Sequence, residues 1–217
     1  MPRSLQTRPR PSQIYLGRKE WMVRVTKSIG KNLLMPFFRV AVSGVENLPD
    51  NTAFILLPKH QRWEDIPLLA SVTPRRLYYV AKQELFKNPL GSWFMKSLGG
   101  IPLNRKNPLS SRRFLMATIN VLQKGEGVVI FPEGTYYNNK MGPGQVGMVR
   151  FILSRLSLPF IPVGINYTRQ QRHFLVRINF GKTFNVASEV SVDVFVDQMM
   201  REIAALSGLR SRSGRKL

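Results

Sequence analysis

TAFILLPKHQRWEDIPLLAS, residues 52–71, reads as a strand, a loop and the beginning of a helix. Thr52–Pro58 is short and rich in aliphatic and aromatic residues, the mark of a strand. After Lys59 the chain turns through polar residues into a helix that carries Glu64 and Asp65. The same alternation continues on both sides. FFRVAVSG, RLYYVA, GIPLNR, GVVIFPEG, PFIPVGINY and FLVRINFG read as further strands. LGSWFMKSLG, SSRRFLMATINVLQKG and QVGMVRFILSRL read as helices between them. Val192, Phe195, Met199, Ile203 and Leu206 recur at helical spacing and form one face of a last helix. Strands alternating with helices predict an α/β layered domain, with the loops at strand ends carrying the site.

Outside this domain, expected over residues 37–207, the chain is basic. Residues 1–17 hold Arg3, Arg8 and Arg10 among three prolines and show no regular period, as expected of a basic arm. From residue 18 to 35, Met22, Val25, Ile29 and Leu33 fall on one helical stripe, with Arg24, Lys27 and Lys31 opposite; Pro36 stops the helix. Residues 1–36 are thus expected to form a basic arm and an amphipathic helix able to lie in a membrane interface. Residues 208–217 form a short basic tail.

The 217 residues contain 33 Lys and Arg against 12 Asp and Glu, a formal net charge of +21. That balance points to a polyanionic partner, either anionic membrane lipid or nucleic acid. With no cysteine and two histidines, disulfides, thiolate catalysis and a protein-built metal site are not expected. No apolar run reaches the ~18 residues of a membrane span, and the first twenty residues lack the apolar core of a secretory signal. The expectation is a peripheral protein on the cytoplasmic face of the membrane.

His60 and Asp65 are the first candidates for chemistry. In a continuous helix, side chains five residues apart diverge by about 140°. The two can meet only if His60 lies on the incoming loop and Asp65 in the first turn of the helix, which is how the segment reads. A carboxylate so placed fixes the imidazole tautomer and stabilises the imidazolium, making His60 a base for an alcohol. The second candidate is FPEGT, Phe131–Thr135, where a strand runs into a turn carrying Glu133 and Gly134. The carboxylate there is expected to accept hydrogen bonds from substrate hydroxyls, and the glycine to admit a ligand to the backbone. Arg105, beyond GIPLN, could fork onto a phosphate. Gly142-Pro-Gly-Gln-Val-Gly147 has the spacing of a dinucleotide fingerprint. It follows a polar loop instead of a strand, with no acid about twenty residues on, so a nucleotide site is not expected.

In order and spacing, HQRWED, GIPLNR, FPEGT and FIPVGI resemble the four blocks of the glycerolipid acyltransferase family, and in particular bacterial 1-acyl-glycerol-3-phosphate acyltransferases. The resemblance implies a layered mixed sheet flanked by helices. It implies His60 as general base, Asp65 as its partner, Arg105 on the acceptor phosphate, Glu133, Gly134 and Thr135 around the acceptor, and Pro162 supporting the acyl-donor side. The reaction implied is direct attack of the lysophosphatidate sn-2 hydroxyl on an acyl thioester, giving phosphatidate. Acyl-CoA or acyl-carrier protein would be the donor, with no cofactor. Many members follow the third block with Arg-Ser, where this chain has Tyr136-Tyr137. Arg62, Lys140 or Arg105 alone is expected to compensate, or the acceptor is a lyso-lipid with a different polar head; glycerol 3-phosphate and a lyso-aminolipid are the alternative acceptors. Lys59 is expected to add a positive field for an anionic substrate. A nucleic-acid-binding protein would explain the charge equally well. It leaves His60, Asp65 and Glu133 unexplained and has no recognised motif here, so no nucleic-acid partner is expected.

Overall fold

The computed structural model describes residues 18–25, 28, 37–104, 112–185 and 190–210. Within them lie seven strands, β1 (Phe38–Ser43), β2 (Phe54–Pro58), β3 (Leu77–Lys82), β4 (Gly100–Leu103), β5 (Gly127–Val129), β6 (Phe160–Arg169) and β7 (Phe174–Phe180). Five helices accompany them: α1 (Asp65–Val72), α2 (Pro89–Ser97), α3 (Arg112–Gln123), α4 (Val146–Leu153) and α5 (Val192–Leu206). All seven expected strands and all five expected helices of the 37–207 region form.

The strands make one sheet in the order β1-β7-β6-β2-β5-β3-β4. Five of the six pairings are parallel; β6 and β7 form the antiparallel pair, so the sheet is mixed. Parallel neighbours cannot be joined by a hairpin and need helical crossovers. The C-terminal ends of β2, β3, β5 and β6 therefore lie at one end of the sheet, where the loops after them converge.

All five residues of β2 are buried, because helices cover both faces. Ile55 and Leu57 point to one side, into a cluster with Ile119, Leu122, Val149, Ile152, Met199 and Ile203 of α3, α4 and α5. Phe54 and Leu56 point to the other, with Leu68 and Leu69 of α1 and the inner residues of β6 and β7. Full burial of each such side chain contributes about 1.5–3 kcal/mol, so this central strand anchors the loop that follows it. The α5 stripe buries Phe195, Met199 and Ile203 as its periodicity predicts, and Ser191 caps the helix by accepting from the Val194 N–H.

Residues 20–25 are helical, but the expected N-terminal stripe divides: Met22 is buried against the domain and Val25 is exposed. Lys27, Ile29, Lys31 and Leu33 lie outside the described residues. No helix among the described residues is long and apolar enough to cross a membrane. Gly142 and Gly144 have a packing role. A Cβ at Gly142 would fall 2.3 Å from the Tyr137 ring, and one at Gly144 would fall 2.8 Å from Val196.

Candidate functional site

The loop after β2 and the turn after β5 meet at the end of the sheet where parallel strands release their chains. His60 lies on the loop and Asp65 is the first residue of α1, with Nδ1 3.0 Å from Asp65 Oδ2. The same oxygen accepts the backbone N–H of Gln61 at 2.6 Å and of Arg62 at 2.8 Å. Asp65 Oδ1 accepts the Tyr167 hydroxyl at 2.7 Å. A carboxylate surrounded by donors calls for the proton on Nδ1, which leaves Nε2 with the free lone pair. Asp65 is fully buried and His60 is nearly so. The imidazole stacks on Phe131, ring centres 3.8 Å apart, and the Tyr136 ring tilts over it at 4.3 Å.

Glu133 does not stand where substrate hydroxyls could reach it. Its side chain is fully buried and its oxygens serve the protein. Oε2 accepts the Lys59 ammonium at 2.7 Å and the His60 N–H at 3.0 Å, while Oε1 accepts the Gly142 N–H at 2.6 Å. The physical reason is the register of β2 and β5, which face each other as neighbours and bring the two strand ends side by side. Lys59 also departs from expectation. It projects no field outward, for its ammonium is buried and donates to the His60 and Tyr137 carbonyls as well as to Glu133. Burial pulls the Lys59 pKa below its ordinary value, and the Glu133 carboxylate opposes that pull. Together the pair clamps the backbone on which His60 sits. Gln61 extends the clamp by donating to the Ile165 carbonyl and accepting the Asn139 N–H.

A cavity of about 250 Å³ opens beside the Pro-Glu-Gly turn, lined by Val80, Leu103, Ile130, Phe131, Gly134 and Met148 among others. Phe131 joins it to His60, since the ring that lines the cavity also stacks on the imidazole. Arg105 lies outside the described residues; Asn104, its neighbour in the chain, lines the cavity. Thr135 and Lys140 are exposed on the loop that leaves Gly134. Arg62 is turned to a different recess. Its guanidinium lies 5.0 Å from the Tyr167 ring centre and 4.8 Å from that of Phe174, and with Arg169 and Arg172 it lines a cavity of about 330 Å³; His60 is in the lining of neither cavity. Pro162 is paired with Leu57 inside the sheet and lines neither cavity.

Tyr167 was not singled out from the sequence, although its strand was read correctly. Its contact with Asp65 depends on β6 lying next to β2, which no local pattern reveals. Burial and the nearby Asp65 carboxylate raise its pKa far above the usual phenol value of 10.0, so it remains a donor. If His60 acts as the expected base, Tyr167→Phe lowers kcat about five- to tenfold with KM unchanged, the ~1 kcal/mol of one hydrogen bond to the carboxylate that holds the imidazole. Equal loss in kcat and affinity would show a merely structural role. The buried Tyr79 hydroxyl is raised likewise by desolvation. Both phenols keep their protons in the folded chain at a pH where the unfolded chain gives them up. Their contribution is complete below about pH 10 and is lost as pH rises beyond it. Tyrosinate absorbance of these two is therefore expected to appear together with alkaline unfolding, as a pH titration followed by circular dichroism would register.

The model of the acyltransferase family matches residues 39–166. A 1-acyl-sn-glycerol-3-phosphate acyltransferase of Bacillus subtilis is 37% identical over 97 residues, 44% of this chain and 48% of the relative. One from Pseudomonas aeruginosa is 30% identical over 151 residues, 67% of this chain and 53% of the relative. The chain thus spans about half the length of these curated relatives. The crystal structure of the 1-acyl-sn-glycerophosphate acyltransferase PlsC from Thermotoga maritima shares the fold, with a TM-score of 0.66 at 24% identity over 89% of this chain and 81% of that one. The sheet, the paired His60 and Asp65, and a family match covering more than half of its residues place this chain in the acyltransferase family.

Proposed function

We propose that this protein is a membrane-peripheral acyltransferase that moves a fatty acyl group from acyl-CoA or acyl-carrier protein to the sn-2 hydroxyl of lysophosphatidate. The observation that carries this is the Tyr167–Asp65–His60 chain of hydrogen bonds ending beside an apolar cavity. His60 Nε2 takes the proton of the acceptor hydroxyl while its oxygen attacks the thioester carbonyl carbon. The tetrahedral intermediate then collapses, the carbon–sulfur bond breaks, and the leaving thiolate takes the proton from His60. Asp65, held by four donors, keeps the ring oriented and balances the transient imidazolium. No nucleophilic side chain is needed, in keeping with a chain free of cysteine.

The cavity bordered by Leu103, Ile130, Phe131 and Met148 suits the acyl chain near the thioester, since apolar walls favour a chain removed from water. The resemblance assigns the acceptor phosphate to Arg105. Glu133 is the brace of the His60 loop, not a substrate ligand. The charge of +21 would hold the protein to an anionic leaflet at about 1 kcal/mol per nearby cation. One observation favours a second acceptor: Tyr136, standing where the resemblance leads one to expect arginine, leans on His60 itself. A lyso-aminolipid would not need that cation.

The test is direct. Pure protein is incubated with labelled acyl-CoA and a panel of lyso-lipids, and products are identified by mass. Phosphatidate is expected as the dominant product. Acylation of a lyso-aminolipid in its place would select the second reading, and no acylation from either CoA or carrier-protein thioester would reject the proposal.

A further inference from the structure

A helix on the surface of a soluble domain turns its polar stripe outward. Helix α2 does the reverse. Leu90, Trp93 and Phe94, at i, i+3 and i+4, share one face and are 73%, 44% and 41% exposed. The turn before it, Gln83–Phe86, adds Leu85 at 53%, close enough that a Cβ on Gly91 would meet the Leu85 carbonyl at 3.4 Å. At the other end of α2 the N-terminal segment is attached: the Lys19 N–H donates to the Ser97 carbonyl at 3.0 Å, and the Lys19 ammonium lies 5.2 Å from the centre of the Trp93 ring. That segment carries Trp21, itself 54% exposed. Clustered exposed apolar side chains of this size mark an interaction surface, not an ordinary solvated face.

We infer that this face, built from Leu85, Leu90, Trp93 and Phe94, is where the protein inserts into an anionic bilayer interface. The inference rests on the membrane-bound reading above and names the residues that carry it. Two observations choose lipid as the occupant. Residues 18–25 and 82–97 hold six cations, Arg18, Lys19, Arg24, Lys82, Lys87 and Lys96, against two acids, and one of those, Glu20, is already within 3.6 Å of Arg18 and Arg76. Tryptophans flanked by lysines match the headgroup layer, where an amphipathic ring and a cation both find partners. The topology supplies the use. The β3-to-β4 crossover starts at the end of the sheet that carries His60, because β2, β5 and β3 run parallel. Leu85 and Leu90 therefore sit at the site's end of the molecule, where a lipid substrate leaves the leaflet. Helix α2 leads into β4, whose last residue, Leu103, lines the apolar cavity.

The experiment measures partition of the full chain onto vesicles of equimolar phosphatidylglycerol and phosphatidylcholine, and onto phosphatidylcholine alone, by sedimentation. The variants are Leu90→Glu/Phe94→Glu, Lys87→Gln/Lys96→Gln, and Val194→Glu as a control exposed on α5. Wild type and the control are expected to bind the anionic vesicles. The acidic pair should lose at least about 30-fold in partition, since two apolar insertions are replaced by charges. The glutamine pair should lose roughly fivefold per cation, on anionic vesicles only. All changed residues are exposed, so circular dichroism and turnover on detergent-dispersed acceptor should match the wild type. If the wild type does not bind, the membrane-bound reading falls and this surface with it. If the wild type binds and the acidic pair binds as tightly, the membrane-bound reading stands and this surface is wrong. A change in sedimenting mass with unaltered vesicle binding would assign the face to a second copy of the chain and overturn the lipid assignment.

Discussion

His60→Ala is expected to lose about a thousandfold in turnover, ~4 kcal/mol of barrier, because the alcohol oxygen then attacks with its proton still in place. The fold should survive. The His60 backbone carries the hydrogen bonds that join its loop to Glu133, Lys59 and Tyr137, and alanine keeps all of them. What is lost is an imidazole stacked on Phe131 and bonded to Asp65. Thermal unfolding of the variant, compared with its product formation from labelled acyl-CoA, separates the two effects. Residual turnover near the wild-type value would place the base elsewhere.

Glu133→Ala is expected to be the most damaging single change to stability, at about 3–5 kcal/mol, because it strands a buried ammonium without its counter-charge. The Lys59 side chain is fully enclosed, and its two other partners are carbonyl dipoles. The same substitution leaves the His60 and Gly142 N–H groups without acceptors. In a chain of this size the midpoint of thermal unfolding should fall by about 10 °C. Removing both charges tests the cause. Lys59→Met combined with Glu133→Gln should be less destabilised than the sum of the single changes by about 1–3 kcal/mol, measured by urea unfolding. Strict additivity would show that the two groups do not depend on each other. Activity should fall even in a folded double variant, as the loop that presents His60 loses its brace.

The elements were legible because each announces itself locally. Thr52–Pro58 is a compact apolar run ended by proline, and Val192–Leu206 repeats its apolar residues at helical spacing. The His60–Asp65 contact was legible too, since both ends lie on one loop-to-helix turn. What the sequence concealed depends on strand order. Lys59 and Glu133 meet because β2 and β5 are neighbours, and Tyr167 reaches Asp65 because β6 lies on the other side of β2. Glu133 was misread for that reason: a carboxylate on a strand-end turn looks available until the adjacent strand delivers a lysine to it. Arg62, expected to stand in for the arginine absent after the third block, lies on a surface that only the pairing of β6 with β7 builds. Its side chain follows the aromatic surface of Tyr167 and Phe174 away from the imidazole.

The clamp around His60 also sets when the enzyme can first work. Its ties run from Lys59 to Glu133, from Asp65 to Tyr167 and from Gln61 to Ile165, spanning 74 to 104 residues of chain. A ribosome that has released only the first hundred residues has delivered the histidine and its acid but none of these distant ties. The base and its acid are therefore braced only once the chain as far as Tyr167 is present and β5 and β6 have joined β2 in the sheet.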